Sequence, residues 1–232
     1  MGAKSDLQTA EEIIRYLESL ANPDNVAGMA RYGISSKNTL GVSMPALREI
    51  AKGRGKDHSL ALALWESEIH EARILAAMVD NPKLVSAEQM EEWVLEFDSW
   101  DVCDQVCSNL FDRTPLAAAK AVEWSGQEQE FVKRAGFVLM ACLAVHDKKA
   151  GDELFETFLP VIRRESGDER NFVKKAVNWA LRQIGKRNGY LNQQAIQTAE
   201  EIARLDSRAA RWVAADALRE LRAEKTQSRL KG

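Results

Sequence analysis

Phe131-Val132-Lys133-Arg134-Ala135 returns 41 residues later as Phe172-Val173-Lys174-Lys175-Ala176, and Trp179-Ala180-Leu181-Arg182-Gln183 is echoed after 37 residues by Asp216-Ala217-Leu218-Arg219-Glu220. Self-similarity at such a spacing marks stacked helix pairs, none of which can bury its apolar face alone. The strings themselves sit in helical periodicity. From Phe172 to Arg187, at about 100° per residue, Val173, Ala176, Val177, Ala180, Leu181 and Ile184 fall on one stripe. One repeat earlier Val132, Ala135, Gly136, Leu139 and Leu143 do the same, and Arg134 points away from that stripe.

The same period runs outward through the chain, with no segment of convincing period-2 alternation. Helix starts are signalled by the capping boxes Thr9-Ala10-Glu11-Glu12 and Ser86-Ala87-Glu88-Gln89. Ser43 before Met44-Pro45 and Thr114 before Pro115 combine a cap with a first-turn proline. Breaks fall at Asn22-Pro23-Asp24, Gly53-Arg54-Gly55, Asn81-Pro82, Ser125-Gly126, Ser166-Gly167-Asp168 and Asn188-Gly189. These signals predict an all-α chain of about twelve helices joined by short loops, in a single domain over residues 1–232. A repeat near the roughly 40–47 residues of HEAT and armadillo units predicts a HEAT-like, armadillo-type solenoid, an α-α superhelix.

Composition is that of a globular chain: 232 residues, 45% hydrophobic, 29% charged, five prolines. No run reaches the roughly 18 apolar residues of a membrane span. Met1 to Leu20 reads as an amphipathic helix and lacks the apolar core of a signal peptide. Three cysteines, Cys103, Cys107 and Cys142, suit a reducing compartment, so a cytoplasmic location is expected, nucleoid-associated in a bacterium. Net charge is −3, but its distribution is uneven. Val85 to Glu130 holds 11 acidic residues against Arg113 and Lys120, whereas Arg170 to Arg187 holds six basic residues and no acidic one. A local field of that kind can grip a polyanion that the whole chain would repel.

Three places carry candidate chemistry. Lys175, Trp179, Arg182 and Lys186 lie at i, i+4, i+7 and i+11, opposite the apolar stripe of their helix. One reading is an aromatic platform in a basic groove, the pairing used by nucleic-acid surfaces; the other packs Trp179 on a neighbouring helix with the cations along its ring. Arg134 occupies the position of Lys175 one repeat earlier, so stacking would line both cations along one wall. Trp100 and Asp104, in Ser99-Trp100-Asp101-Val102-Cys103-Asp104, are i, i+4 neighbours at a helix start. Asp104 borders the stripe of Cys103, Cys107, Leu110 and Phe111, where a carboxylate is costly to desolvate without a partner; it could equally be a first-turn acid beside Asp98 and Asp101. Cys103 and Cys107 share a face, but His58, His70 and His146 are scattered, which favours buried thiols over zinc. Gly53-Arg54-Gly55-Lys56 is a basic turn, and Trp65, Trp93, Trp124 and Trp212 read as packing residues. Walker, dinucleotide, nucleophile-elbow and HExxH motifs are absent from the sequence.

From Leu40-Gly41-Val42-Ser43-Met44-Pro45-Ala46-Leu47-Arg48 onward the chain resembles the AlkD-type DNA alkylation repair glycosylases, which are built from HEAT-like repeats. The resemblance is carried by Trp100-Asp101-Val102-Cys103-Asp104, by Phe131-Val132-Lys133-Arg134-Ala135 and by Phe172-Val173-Lys174-Lys175-Ala176-Val177-Asn178-Trp179-Ala180-Leu181-Arg182. It implies that Trp100, Trp179 and Asp104 form a catalytic cleft, that Arg134 contacts the DNA backbone, and that neither metal nor cofactor takes part. The implied partner is duplex DNA bearing alkylated bases, bound by a monomer with no membrane involved. The implied reaction suits those residue types. An N3- or N7-alkylated purine is already cationic and leaves readily; an ionised Asp104 would stabilise the oxocarbenium-like sugar, and the indoles would stack on the nucleotide. Two other functions fit the same residues: a non-catalytic module binding distorted DNA, which has no need of Asp104, and a protein-interaction scaffold.

Overall fold

The computed structural model describes residues 8–230, and among these every regular element is helical. Contacts group the chain into two compact units, one ending at Thr114 and one beginning at Pro115.

The first unit contains α1 (Ala10–Ser19), α2 (Pro23–Ala30), α3 (Met44–Lys52), α4 (His58–Glu66), α5 (His70–Val79), α6 (Ala87–Leu95) and α7 (Trp100–Asn109), then a 3-10 turn at Phe111–Arg113. Helix α5 is its centre: α3, α4 and α7 all pack against it, and Ala72, Ile74, Leu75, Ala76, Ala77 and Val79 are buried along its length. Residues 1–7 of the amphipathic helix expected at the N-terminus lie outside the described residues; the remainder begins at the capping box. There Thr9 Oγ1 accepts from Glu12 N at 3.3 Å while Glu12 Oε2 accepts from Thr9 N at 3.1 Å.

The second unit contains α8 (Ala117–Ser125), α9 (Glu130–His146), α10 (Asp152–Glu165), α11 (Asn171–Ile184), α12 (Gly189–Ala203), α13 (Arg208–Leu221) and α14 (Glu224–Leu230). Its packing explains the recurrence in the sequence. Helices α9, α11 and α13 lie side by side in one row; α10 packs against α8 and α12 in the other. Equivalent strings therefore occupy equivalent places. Phe131 and Phe172 stack with ring centres 5.8 Å apart, and Asn178 on α11 donates to the Val213 carbonyl on α13 at 3.1 Å. Glycine allows a close approach between the two rows. A Cβ at Gly136 of α9 would lie 2.5 Å from Ser125 N and 2.8 Å from Ala121 O, both backbone atoms of α8.

The fold is the expected all-α helical repeat, with fourteen α-helices among the described residues where about twelve were expected. The shortest carry the weakest sequence signal: α2 buries no residue and α14 buries only Thr226, so neither shows an apolar stripe. Three start signals resolve differently from their pattern. Ser43 stands at the N-cap of α3 but makes no side-chain cap hydrogen bond. Ser86 caps Gln89 N at 3.1 Å, but the Gln89 amide donates to buried Asp80 at 2.8 Å, leaving half a capping box. Thr114 turns its hydroxyl back to the Phe111 carbonyl at 2.8 Å, and α8 begins three residues later.

Candidate functional site

In the first unit the head of α7 borders a cavity of about 500 Å³, mainly apolar, lined among others by Met29, Tyr32, Ile74, His70, Trp100 and Asp101. The Trp100 ring is half-buried, and its indole Nε1 donates to the Tyr32 carbonyl at 3.1 Å. One turn later Asp104 is half-buried beside Cys103 and Cys107, both fully enclosed. Trp100 and Asp104 thus lie on one side of α7, as the spacing predicts, while the cavity is lined by Trp100, Asp101 and Gln105. Two acids that the pattern did not single out organise this region. Asp101 Oδ2 lies 2.9 Å from His70 Nε2, tying α7 to α5. Glu71, also on α5, is buried and accepts from the backbone amides of Leu40, Gly41 and Val42 at 2.9, 2.6 and 3.1 Å. Gly41 takes φ +78° there, and a Cβ would meet the Asn22 carbonyl at 2.3 Å.

In the second unit α11 carries its apolar stripe as expected: Val173, Ala176, Val177, Ala180, Leu181 and Ile184 are all buried. On the other face Trp179 is half-buried and Lys175 exposed. Arg182 and Lys186 are not free cations. Arg182 pairs with Glu220 and Lys186 Nζ lies 2.6 Å from the same carboxylate; Asp216 stands 3.8 Å from Arg182 Nε. The acids come from α13, so a basic run that is uninterrupted along the sequence is interrupted in space. Burial disfavours the Glu220 carboxylate, but hydrogen bonds from Lys186 and Arg182 outweigh it and hold its pKa below the ordinary value. Lys186 also lies past the helix, beyond the Gly185 cap.

Arg134 departs furthest from its expectation. It does not point outward in line with Lys175: it is 5% exposed, and its Nη1 donates to the Phe172 carbonyl at 2.6 Å. The cause is its helix. Packed by α8 on one side and α11 on the other, α9 is buried nearly all round, and the guanidinium is drawn to a carbonyl at the start of α11. Trp212, expected to be a packing residue, is 41% exposed with Lys174 Nζ 5.2 Å above its ring. Trp65 and Trp93 do pack, stacked 4.0 Å apart, and Trp124 is buried. The three thiols are buried, and among the described residues no group of three or more His, Cys, Asp or Glu could hold a metal.

A profile of the family described as "DNA alkylation repair enzyme" matches residues 13–221. The chain belongs to the DNA alkylation repair enzyme family. An uncharacterized protein of Listeria innocua and another of Listeria monocytogenes are each 21% identical to it over 201 residues, covering 85% of this chain and 88% of theirs. A solved structure aligns with a TM-score of 0.77 at 18% identity, covering 96% of both chains. It is described as "a new family of proteins related to the HEAT-like repeat DNA glycosylases with affinity for branched DNA structures". At that identity the likeness establishes the HEAT-like fold.

For this member of the DNA alkylation repair family, His70, Glu71 and Asp101 are what sequence reasoning missed. Asp101 sat within the quoted motif but was counted only as a first-turn acid. His70 lies 31 residues before it, a distance at which no local pattern operates. Among the described residues no helix is long and apolar enough to cross a membrane.

Proposed function

We propose that this member of the DNA alkylation repair family is a DNA glycosylase that hydrolyses the N-glycosidic bond of cationic N3- or N7-alkylated purines in duplex DNA. Asp104 stabilises the positive charge that gathers on the deoxyribose as the base departs and positions the attacking water; Trp100 and Trp179 stack on the nucleotide. The observation that carries this reading is the head of α7. Trp100 and Asp104 lie one turn apart, and the indole is held in orientation by the Tyr32 carbonyl. A carboxylate and a fixed aromatic ring on one short helical face suit a reaction whose transition state is a cation on a sugar. Lys175 on α11 supplies an exposed charge for the phosphate backbone.

The test is release of 7-methylguanine and 3-methyladenine from methylated duplex by the wild type and by Asp104→Asn. The variant is expected to lose about 10²–10³ in rate with unchanged affinity for undamaged duplex. Equal release by the two proteins, or none by the wild type, defeats the reading.

A second reading is binding of distorted or branched DNA without base release. It is favoured by the branched-DNA affinity for which the structural neighbour is described and by the pairing of Arg182 and Lys186 with Glu220, which limits the charge offered to an intact backbone. Salt-dependent binding of four-way junctions by both wild type and Asp104→Asn, with no base liberated by either, selects it.

A further inference from the structure

At the C-terminal ends of α9 and α11 a cavity of about 350 Å³ is lined by Lys148, Lys186, Arg187 and Arg229, together with Ala144, Val145, Gln183 and Asn188. Four cations from three separate segments meet there, and no carboxylate lines the space. This contrasts with much of the same unit, where cations stand against acids: Lys133 by Glu165 and Asp168, Arg163 by Glu201, Arg170 by Asp168, Arg222 by Glu200. Lys148 and Arg229 are exposed and form no ion pair among the described residues. Of the nearby acids, Glu220 holds Lys186 from outside the cavity, and the others are engaged elsewhere. Asp147 Oδ1 accepts from the amides of Lys149 and Ala150, and Asp152 Oδ1 accepts from the Asn188 side chain.

Arg187 removes what would otherwise repel an anion at this spot. The end of a helix presents unsatisfied carbonyls and a partial negative charge. Arg187 Nη1 donates to the carbonyls of Ala144 and Asp147 at the end of α9, and Nη2 to that of Ala150, all within 2.9–3.0 Å. Its guanidinium is fixed further by the Phe155 ring, 4.1 Å away. The helix end is thereby masked and given a positive charge; Lys186 stays paired with Glu220, and Lys148 and Arg229 are left with mobile donors around it. Converging cations repel one another unless an anion joins them. Tetrahedral oxyanions with several acceptor atoms satisfy such a set best.

We propose that this cavity is a phosphate site that seats one phosphodiester of a nucleic-acid backbone. Its chemistry rests on the cavity's own charge; the source of the phosphate rests on the DNA-binding reading above. The test measures affinity of the full chain for a labelled undamaged duplex across a salt series, in the wild type, in the double variant Lys148→Gln/Arg229→Gln, and in Lys149→Gln. Lys149 is the exposed neighbour that does not line the cavity. Losing one phosphate contact should lower the salt slope by about 0.9 and weaken binding roughly eight-fold at about 0.1 M salt, with Lys149→Gln unchanged. In a parallel arm, broadening of the phosphorus resonance of inorganic phosphate by the wild type should vanish in the double variant. A double variant that binds duplex like the wild type across the salt series overturns the proposal, as does an equal loss in Lys149→Gln. If the wild type binds no DNA yet broadens the phosphate signal through Lys148 and Arg229, the phosphate site stands and the nucleic-acid reading falls. Absence of both signals removes both.

Discussion

His70 is held above the ordinary imidazole range. Burial by itself favours the neutral ring, but the hydrogen bond and charge of Asp101, joined by Glu71 and Asp98, outweigh it. A group whose pKa is raised by folding stabilises the native state fully below its unfolded value, about 6.5, and loses that contribution as pH climbs through the folded value. The urea midpoint of the wild type should therefore exceed that of His70→Asn by more at pH 6 than at pH 9. A gap that widens toward alkaline pH contradicts this. Arg134 carries a different expectation. Replacing it with Gln leaves the Phe172 carbonyl short of its donor, at a cost of about 1–3 kcal/mol, while duplex affinity of the folded variant and its salt slope stay unchanged. A slope that falls by about 0.9 in anisotropy titrations would instead support a backbone-contact role for Arg134. Spacing made the shared face of Trp100 and Asp104 legible, because both lie on one short helix. The outward orientation expected of Arg134 fails because its surroundings come from α8 and α11, and the His70–Asp101 pair escaped notice because its members lie on different elements.

Elements were the most legible level. The stripe of α11 was written in its period, and every predicted break falls at a helix boundary or between helices. What the pattern could not supply was the number of sides on which a helix is covered. The run Phe137 to Ala144 of α9 is continuously apolar, and that uninterrupted run, more than the stripe inside it, was the signal for burial all round. The same crowding makes a sharp prediction at Gly136. Alanine is the better helix former, so an isolated helix would gain from the change. Here the added methyl meets three backbone atoms of α8 below 3 Å, and backbone cannot step aside as a flexible side chain would. Gly136→Ala should lose about 1–3 kcal/mol, read as a lower denaturant midpoint with the helical circular dichroism retained. An unchanged or higher midpoint would show that α8 and α9 can separate at little cost.

Across the whole molecule, a net charge of −3 describes the chain poorly as a ligand for DNA, and so does the basic run from Arg170 to Arg187. Arg187 serves backbone carbonyls, Arg170 serves Asp168, and Arg182 and Lys186 share Glu220. Lys175 is left exposed, so Lys175→Gln should lower the salt slope for undamaged duplex by about 0.9. Glu220→Gln should do the opposite, tightening duplex binding and steepening its salt dependence, because two cations lose their resident acid. Weaker binding by Glu220→Gln would mean that the acid is needed to orient them. Glu220 thus acts as a built-in competitor. On the proposed function, a phosphate approaching Arg182 and Lys186 would have to evict a tethered rival that never diffuses away, so casual encounters with sound duplex would end quickly. Only a partner that gains something extra on docking, such as a helix already weakened at one base, would hold the surface long enough to matter.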